Sequence, residues 1–108
     1  TMANRNFGTT RSNSQFGGLT LLAVWNKGAV VLGKDPSRVR KDVCGAEMHW
    51  DKYGDTTQNG FGWEVDHIYP VAAGGSDELV NLQPLQWQNN RSKSDNHPQS
   101  WACAVTFS

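Results

Sequence analysis

The sequence predicts a single α+β domain, and three observations lead to that prediction. The chain has 108 residues, the length of one domain. Hydrophobic residues make up 37% of it and include five Trp, which is enough for a modest core and argues against disorder. Alternating apolar and polar residues near position 61 precede a segment of helical character near position 84, so strands and a helix are expected together.

The N-terminal half predicts three segments. Residues 1–18 are rich in Asn, Thr, Ser and Gly, and we expect them to form a loosely held arm. Residues 19–25 suit a short helix, because two of their apolar residues fall on one helical face, although a buried strand is the alternative. Residues 39–50 contain two half-apolar segments on either side of Gly45, which favours a β-hairpin.

The last third predicts a compact unit of two strands and a helix. Residues 61–67 alternate large apolar with small or charged side chains, which is typical of a strand. A Gly-rich turn follows, and residues 79–82 are expected to form a second short strand. Pro84 suits the first turn of a helix, where its missing N–H costs nothing, and this helix is expected over residues 84–94. Residues 61–96 therefore predict a ββα unit.

Charge is balanced over the whole chain but not along it. Ten basic and ten acidic residues give a net charge of zero and a pI near 6.7, which is not the profile of a nucleic-acid-binding protein. Residues 1–54 carry a net charge of +4 and residues 55–108 one of −4. This asymmetry suits a polyanion site beside a cation site, and chance asymmetry on a solvated surface is the alternative. The densest run of cations comprises Lys27, Lys34, Arg38, Arg40 and Lys41.

Cysteine usage and hydropathy bear on the compartment. Cys44 and Cys103 lie 59 positions apart and form no CxxC pair, so cysteines alone provide no zinc knuckle. We expect both to be reduced, in line with a cytoplasmic protein, with a single disulfide as the alternative. No apolar run approaches the ~18 residues that a membrane span needs, and the N-terminus shows no secretory signal. A membrane partner is therefore not expected.

The residues that carry chemistry are concentrated in one run that begins at Asp66 and reads DHIYPVAAGGSDELVNLQPLQWQNNRSKSDN. This run resembles the HNH endonucleases of the ββα-metal (His-Me finger) superfamily, in particular the small stand-alone bacterial and phage proteins. Its NNRSKSDN segment looks most like the HNH domain of RNA-guided CRISPR nucleases. The resemblance implies a ββα-metal core with an additional N-terminal helix and hairpin region. It also implies hydrolysis of DNA to 5′-phosphate and 3′-hydroxyl products.

The resemblance implies a role for each matching residue. His67 corresponds to the general base for water, and an imidazole suits that task because its ordinary pKa lies near neutrality. Asp66 and Asn90 correspond to the ligands of one divalent metal ion, with Asn89 as a competitor for the second position. Oxygen donors of this kind favour Mg²⁺ or Mn²⁺ over Zn²⁺. Asn81 corresponds to an orienting Asn that holds the base-bearing segment across the hairpin loop.

The motif leaves two points to settle: whether Asp66 and His67 can share one site, and what the charged residues around them do. An ideal strand splays Asp66 and His67 to opposite faces, so both serve one site only if the strand twists or ends there. Lys93 is a candidate for a contact with the transition state, and Arg91 for a contact with phosphate together with the five cations named above. Glu64 is expected to form an ion pair with one of these two cations.

The sequence thus predicts a metal-dependent endonuclease that acts on double-stranded DNA. It indicates no protein partner and leaves the oligomeric state open. A DNA-binding module that kept the fold but lost turnover is the alternative, and a secreted toxin domain is a further one. His49 and His97 fall outside the motif and are expected at the surface. The residues expected in the core are Trp25, Trp50, Trp63, Leu85 and Trp87.

Overall fold

The structure is a computed structural model that describes residues 5–58 and 60–106. These residues form a small α+β domain with two antiparallel sheets, of which the first has the order β1-β2-β3 and the second pairs β4 with β5. The elements are α1 (Gly18–Trp25), β1 (Ala29–Val30), β2 (Val39–Lys41), β3 (Glu47–His49), β4 (Trp63–His67), β5 (Leu82–Gln86) and α2 (Trp87–Lys93). Short 3-10 turns occupy Trp50–Lys52, Val71–Ala73 and Leu79–Asn81. Within the described ranges, no helix has the length and apolar character needed to cross a membrane.

The helix and the hairpin predicted for the N-terminal half are both present. Helix α1 covers the segment for which a strand was the alternative. Strands β2 and β3 pair with Arg40 opposite Met48, and Gly45 lies in the turn between them with a φ of 86°. The Asp42 carboxylate holds this turn by accepting hydrogen bonds from the amides of Cys44 and Ala46, each at 2.9 Å. Carboxylates at the start of a turn commonly bond to the backbone in this way.

The second strand and the start of the second helix differ from the prediction. Residues 79–81 form a 3-10 turn, and β5 begins only at Leu82. Pro84 lies inside β5 opposite Val65, not in the helix. Among the described strands β5 pairs only with β4, and proline is tolerated at the edge of a strand that has no second partner. Helix α2 starts at Trp87 because the Gln86 side chain caps it, accepting hydrogen bonds from the amides at 88 and 89. The prediction of a helix from residue 84 was therefore wrong.

Strand β4 is buried on both faces, and this placement positions the candidate site. Trp63 and Val65 project into the main core together with Trp25, Met48 and Leu82. Burial of each such side chain contributes roughly 1.5–3 kcal/mol to folding. The alternate residues of β4 face α2, which packs across the strand. The strand therefore joins an apolar core on one side to a polar layer on the other. Of the other residues expected in the core, Leu85 is buried, and Trp50 and Trp87 are partly buried.

The two ends of the described chain pack against this framework. In the N-terminal segment, Phe16 is buried in the core, and the Phe7 ring lies 4.2 Å from the Arg91 guanidinium. At the C-terminal end, a disulfide joins Cys103 to Cys44, so the expectation of two reduced cysteines was wrong. The loop that this disulfide closes runs from residue 44 to residue 103, so it contains the whole ββα unit.

Candidate functional site

A small cavity lies where the end of β4 meets α2. Its wall includes Asp66, His67 and Asn90, together with Arg5 from the N-terminal segment. The cavity volume is about 10 Å³, close to the space that one water molecule occupies. Strand β4 and helix α2 thus bring three residues of the sequence motif to one place, and the N-terminal segment adds Arg5. Because β4 ends at His67, neighbouring residues of the strand can both reach this cavity.

Asp66 is a buried carboxylate with two protein donors. Gln83 donates to Oδ2 at 2.9 Å, and the Lys93 ammonium lies 3.2 Å from Oδ1. Burial raises the pKa of Asp66 to about 6, and the nearby Lys93 charge opposes that shift. At neutral pH the group is therefore an anion that remains close to its protonation range.

Lys93 lies beneath the site and has no solvent exposure. Besides its contact with Asp66, its ammonium donates a hydrogen bond of 2.8 Å to the backbone carbonyl oxygen of His67. These two bonds fasten the last turn of α2 to the last two residues of β4. In this structure the Lys93 ammonium is thus directed at the strand and not toward solvent.

Asn90 is held in one orientation by Glu64. The Asn90 amide nitrogen donates to Glu64 Oε1 at 2.8 Å, which directs its Oδ1 away from that carboxylate. The second oxygen of Glu64 accepts from Arg91 at 2.8 Å, so Arg91 is the cation with which Glu64 pairs. The competitor Asn89 is fully buried elsewhere and bonds to Asp42 and to the backbone of residues 104 and 105. Asn90, and not Asn89, therefore faces the cavity.

His67 is buried beside the Phe16 ring, whose centroid lies 6.0 Å from that of the imidazole. Its Nε2 lies 2.7 Å from Oδ1 of Asp77. Burial lowers the pKa of His67, and the bond to Asp77 opposes this effect. The neutral ring, which can accept a proton, is therefore favoured at neutral pH.

Asn81 connects the two sides of the loop that follows His67. Its Oδ1 accepts from the Tyr69 amide at 2.8 Å, and its Nδ2 donates to the carbonyl oxygens of Tyr69 and Ser76 at 3.1 and 2.8 Å. The loop leaves no space for a side chain at Gly75, where an added Cβ would lie 1.8 Å from the Tyr69 carbonyl oxygen. These contacts hold the two sides of the loop together directly after the imidazole.

The predicted DNA-binding cations occupy different environments. Lys27 donates to the carbonyl oxygens of Leu79 and Leu82, and Arg40 donates to three backbone carbonyl oxygens. Lys34 and Arg38 are exposed, and Lys41 is partly exposed. The first two cations bond to the backbone of the fold, whereas the last three present charge to solvent from the first sheet and its loops.

The remaining histidines lie away from the cavity. His49 is partly exposed, pairs with Glu47 at 2.6 Å and stacks on Phe61 at 4.1 Å between ring centroids. His97 is exposed and packs edge-on against Tyr69. Neither lines the cavity that contains His67.

Three residues at the site have no site role in the sequence prediction. Arg5 lies in the segment predicted to be a loose arm, Asp77 lies in a turn, and Glu64 is predicted only as an ion-pair partner. The alternation of β4 contains one usable signal, since it places Glu64 on the same face as Asp66. The other two come from distant segments, and no local pattern predicts their approach. Comparison with models of protein families, with curated proteins and with solved structures gives no match for this chain.

Proposed function

We propose that this protein is a divalent-metal-dependent endonuclease that hydrolyses phosphodiester bonds of DNA. The observation that carries the proposal is the meeting of Asp66, His67 and Asn90 at one cavity. These are the residues to which the HNH resemblance assigns the metal ligands and the general base. The bonds that Asn81 makes across the loop also suit the orienting role that the resemblance implies, and they support the proposal.

The donor atoms at the cavity suit a hard cation. Asp66 offers a carboxylate that is ionised at neutral pH, and Asn90 offers the amide oxygen that its bond to Glu64 directs away from that residue. A carboxylate has about four lone-pair positions, of which Gln83 and Lys93 use two, so a cation can share Asp66 with them. Three or more His, Cys, Asp or Glu side chains do not cluster within residues 5–58 and 60–106. The proposed pair contains only one residue of those types and relies on water and phosphate for the other positions.

The proposed reaction assigns the proton transfer to His67. The metal ion, when bound, neutralises charge on the phosphate and on the leaving oxygen. The neutral imidazole accepts a proton from water as the water oxygen forms a bond to phosphorus. The bond from phosphorus to the 3′ oxygen then breaks, and that oxygen takes up a proton from solvent. Arg5 brings a cation to the same cavity wall, where a phosphate oxygen would approach.

A DNA-binding module without turnover is a second candidate, and one observation favours it. Lys93 balances the charge of Asp66 and Gln83 donates to it, so this carboxylate has partners within the protein. Both candidates require DNA to bind to a neutral protein through local charge. Lys34, Arg38 and Lys41 supply such charge outside the cavity.

Cleavage of supercoiled plasmid with Mg²⁺, with Mn²⁺ and with EDTA separates the candidates. We expect cleavage with either ion and none with EDTA. Asp66→Ala should abolish cleavage, because Asn90 alone carries no charge to hold the ion. The matched control is Asp51→Ala, which removes an exposed carboxylate from a 3-10 turn outside the cavity. Cleavage that persists in EDTA excludes the proposed mechanism, and DNA binding with no cleavage under any ion supports the binding module.

A further inference from the structure

One ring nitrogen of His67, the candidate general base, already takes part in a hydrogen bond within the protein. His67 Nε2 lies 2.7 Å from Asp77 Oδ1, and the two residues are ten positions apart, on opposite sides of the loop between β4 and β5. An ionised carboxylate accepts hydrogen bonds and has no proton to donate. In the neutral ring, the proton must therefore be on Nε2 for this bond to form. The lone pair is then on Nδ1.

Asp77 is itself fixed by a second segment of the chain. The backbone amide of Arg11 lies 3.1 Å from Oδ1 and 3.3 Å from Oδ2 of Asp77. The Asp77 side chain is 39% exposed, so packing alone does not immobilise it. The hydrogen bond from the Arg11 amide limits rotation of the Asp77 side chain. Through this one carboxylate the N-terminal segment is linked to the His67 imidazole.

We propose that Asp77 is a positioning residue that holds the Nε2–H tautomer of His67 and so leaves Nδ1 to accept the proton of the attacking water. The inference rests on the proposed nuclease function for the catalytic part and on the geometry alone for the tautomer. The hydrogen bond made by one ring nitrogen commonly determines the state of the other. Carboxylate partners that orient metal-ligating histidines typically affect activity about 10–100-fold, and we expect the same range for a general base.

A purely structural role for Asp77 makes a different prediction. If Asp77 serves only to anchor the N-terminal segment through Arg11, its removal lowers stability but leaves the ring tautomer unchanged. The tautomer is therefore the measurement that separates the two roles, and it requires neither metal nor DNA.

The experiment compares three variants with the parent protein. Asp77→Ala removes the acceptor, and Asp77→Asn keeps an oxygen. That oxygen can still accept a hydrogen bond from Nε2–H of His67. Glu78→Ala is the matched control, because it removes an exposed acidic side chain from the next position. The readouts are nitrogen chemical shifts of the His67 ring in metal-free protein at about pH 8, where a histidine of ordinary pKa is neutral. Single-turnover cleavage of plasmid in Mg²⁺ gives the rate constant and the half-saturating protein concentration.

We expect Asp77→Ala to lose the Nε2–H tautomer and to lower the rate constant about 10–100-fold at an unchanged half-saturating concentration. Asp77→Asn should retain the tautomer and most of the rate, and Glu78→Ala should resemble the parent. An unchanged tautomer in Asp77→Ala overturns the inference. So does a changed tautomer with the parent's rate constant. A parent protein that does not cleave DNA contradicts the proposed function, while the chemical shifts still decide whether Asp77 holds the ring.

Discussion

Two charged side chains of the site form a buried ion pair. Asp66 and Lys93 are both buried and lie 3.2 Å apart, and Lys93 also bonds to the His67 backbone. Removal of one partner from such a pair leaves an uncompensated charge in the interior, which is usually more costly than replacing both. A metal ion at Asp66 would add positive charge beside Lys93, so ion binding is expected to be weak until a DNA phosphate arrives.

Asp66 also gives a prediction about pH. Its pKa is raised to about 6 in the folded protein and is near ~3.9 in an unfolded chain, so the folded state binds more protons between these values. The free energy of unfolding of metal-free protein should therefore fall as pH rises from about 4 to about 6, by up to about 3 kcal/mol from this group. Carbon NMR should show the Asp66 carboxyl titrating near 6 in EDTA. A midpoint near ~3.9 would show that the Lys93 charge and the hydrogen bonds to Asp66 fully offset its burial.

Individual elements show why part of the architecture was predictable. Alternation in β4 and the glycine in the β2–β3 turn are local signals, and both elements are present. The boundary between β5 and α2 is not local. It depends on strand pairing of Pro84 with Val65 and on the cap that Gln86 provides. A proline is compatible with a first helical turn and with a strand edge, so sequence alone does not distinguish them.

The sheet that contains β2 carries a prediction about DNA binding. Arg38 and Lys41 present charge at its surface, whereas Arg40 is bonded to backbone carbonyls. The double variant Arg38→Ala with Lys41→Ala should weaken DNA binding. It should reduce the slope of log affinity against log salt by about 0.9 for each phosphate that the variant no longer neutralises. Fluorescence anisotropy in a salt series measures this, with Lys52→Ala as the control for an exposed cation on another turn. An unchanged slope would show that Arg38 and Lys41 do not neutralise DNA phosphates.

At the scale of the whole molecule, contacts between distant segments complete the site. Arg5 and Arg11 reach it from one end of the chain, and the disulfide ties the other end to the β2–β3 turn. The resemblance to the HNH endonucleases indicated the residues on β4 and α2, because they lie within one continuous run of sequence. It did not predict these distant contacts, since their formation depends on how the complete chain packs.

The disulfide makes the stability of the molecule sensitive to reduction. A cross-link between residues 59 positions apart stabilises a fold by about 4 kcal/mol in the chain-entropy estimate. Reduced protein should therefore show a lower free energy of unfolding by about that amount in denaturant titrations. The variant Cys44→Ala with Cys103→Ala should match reduced parent protein and should not respond to reductant. If reduction leaves the unfolding curve of the parent unchanged, the cross-link does not stabilise the fold.

The single-turnover cleavage rate of His67→Ala in Mg²⁺ tests whether His67 is the general base. A positioned base contributes about 10²–10⁴-fold, so we predict a loss of at least about 10² in the rate constant. Metal binding and DNA affinity should be retained, because the proposed ligands are Asp66 and Asn90 and the exposed cations lie on the first sheet and its loops. His49→Ala, which alters a histidine outside the cavity, should cleave like the parent. Cleavage by His67→Ala at the parent's rate would show that His67 is not the general base.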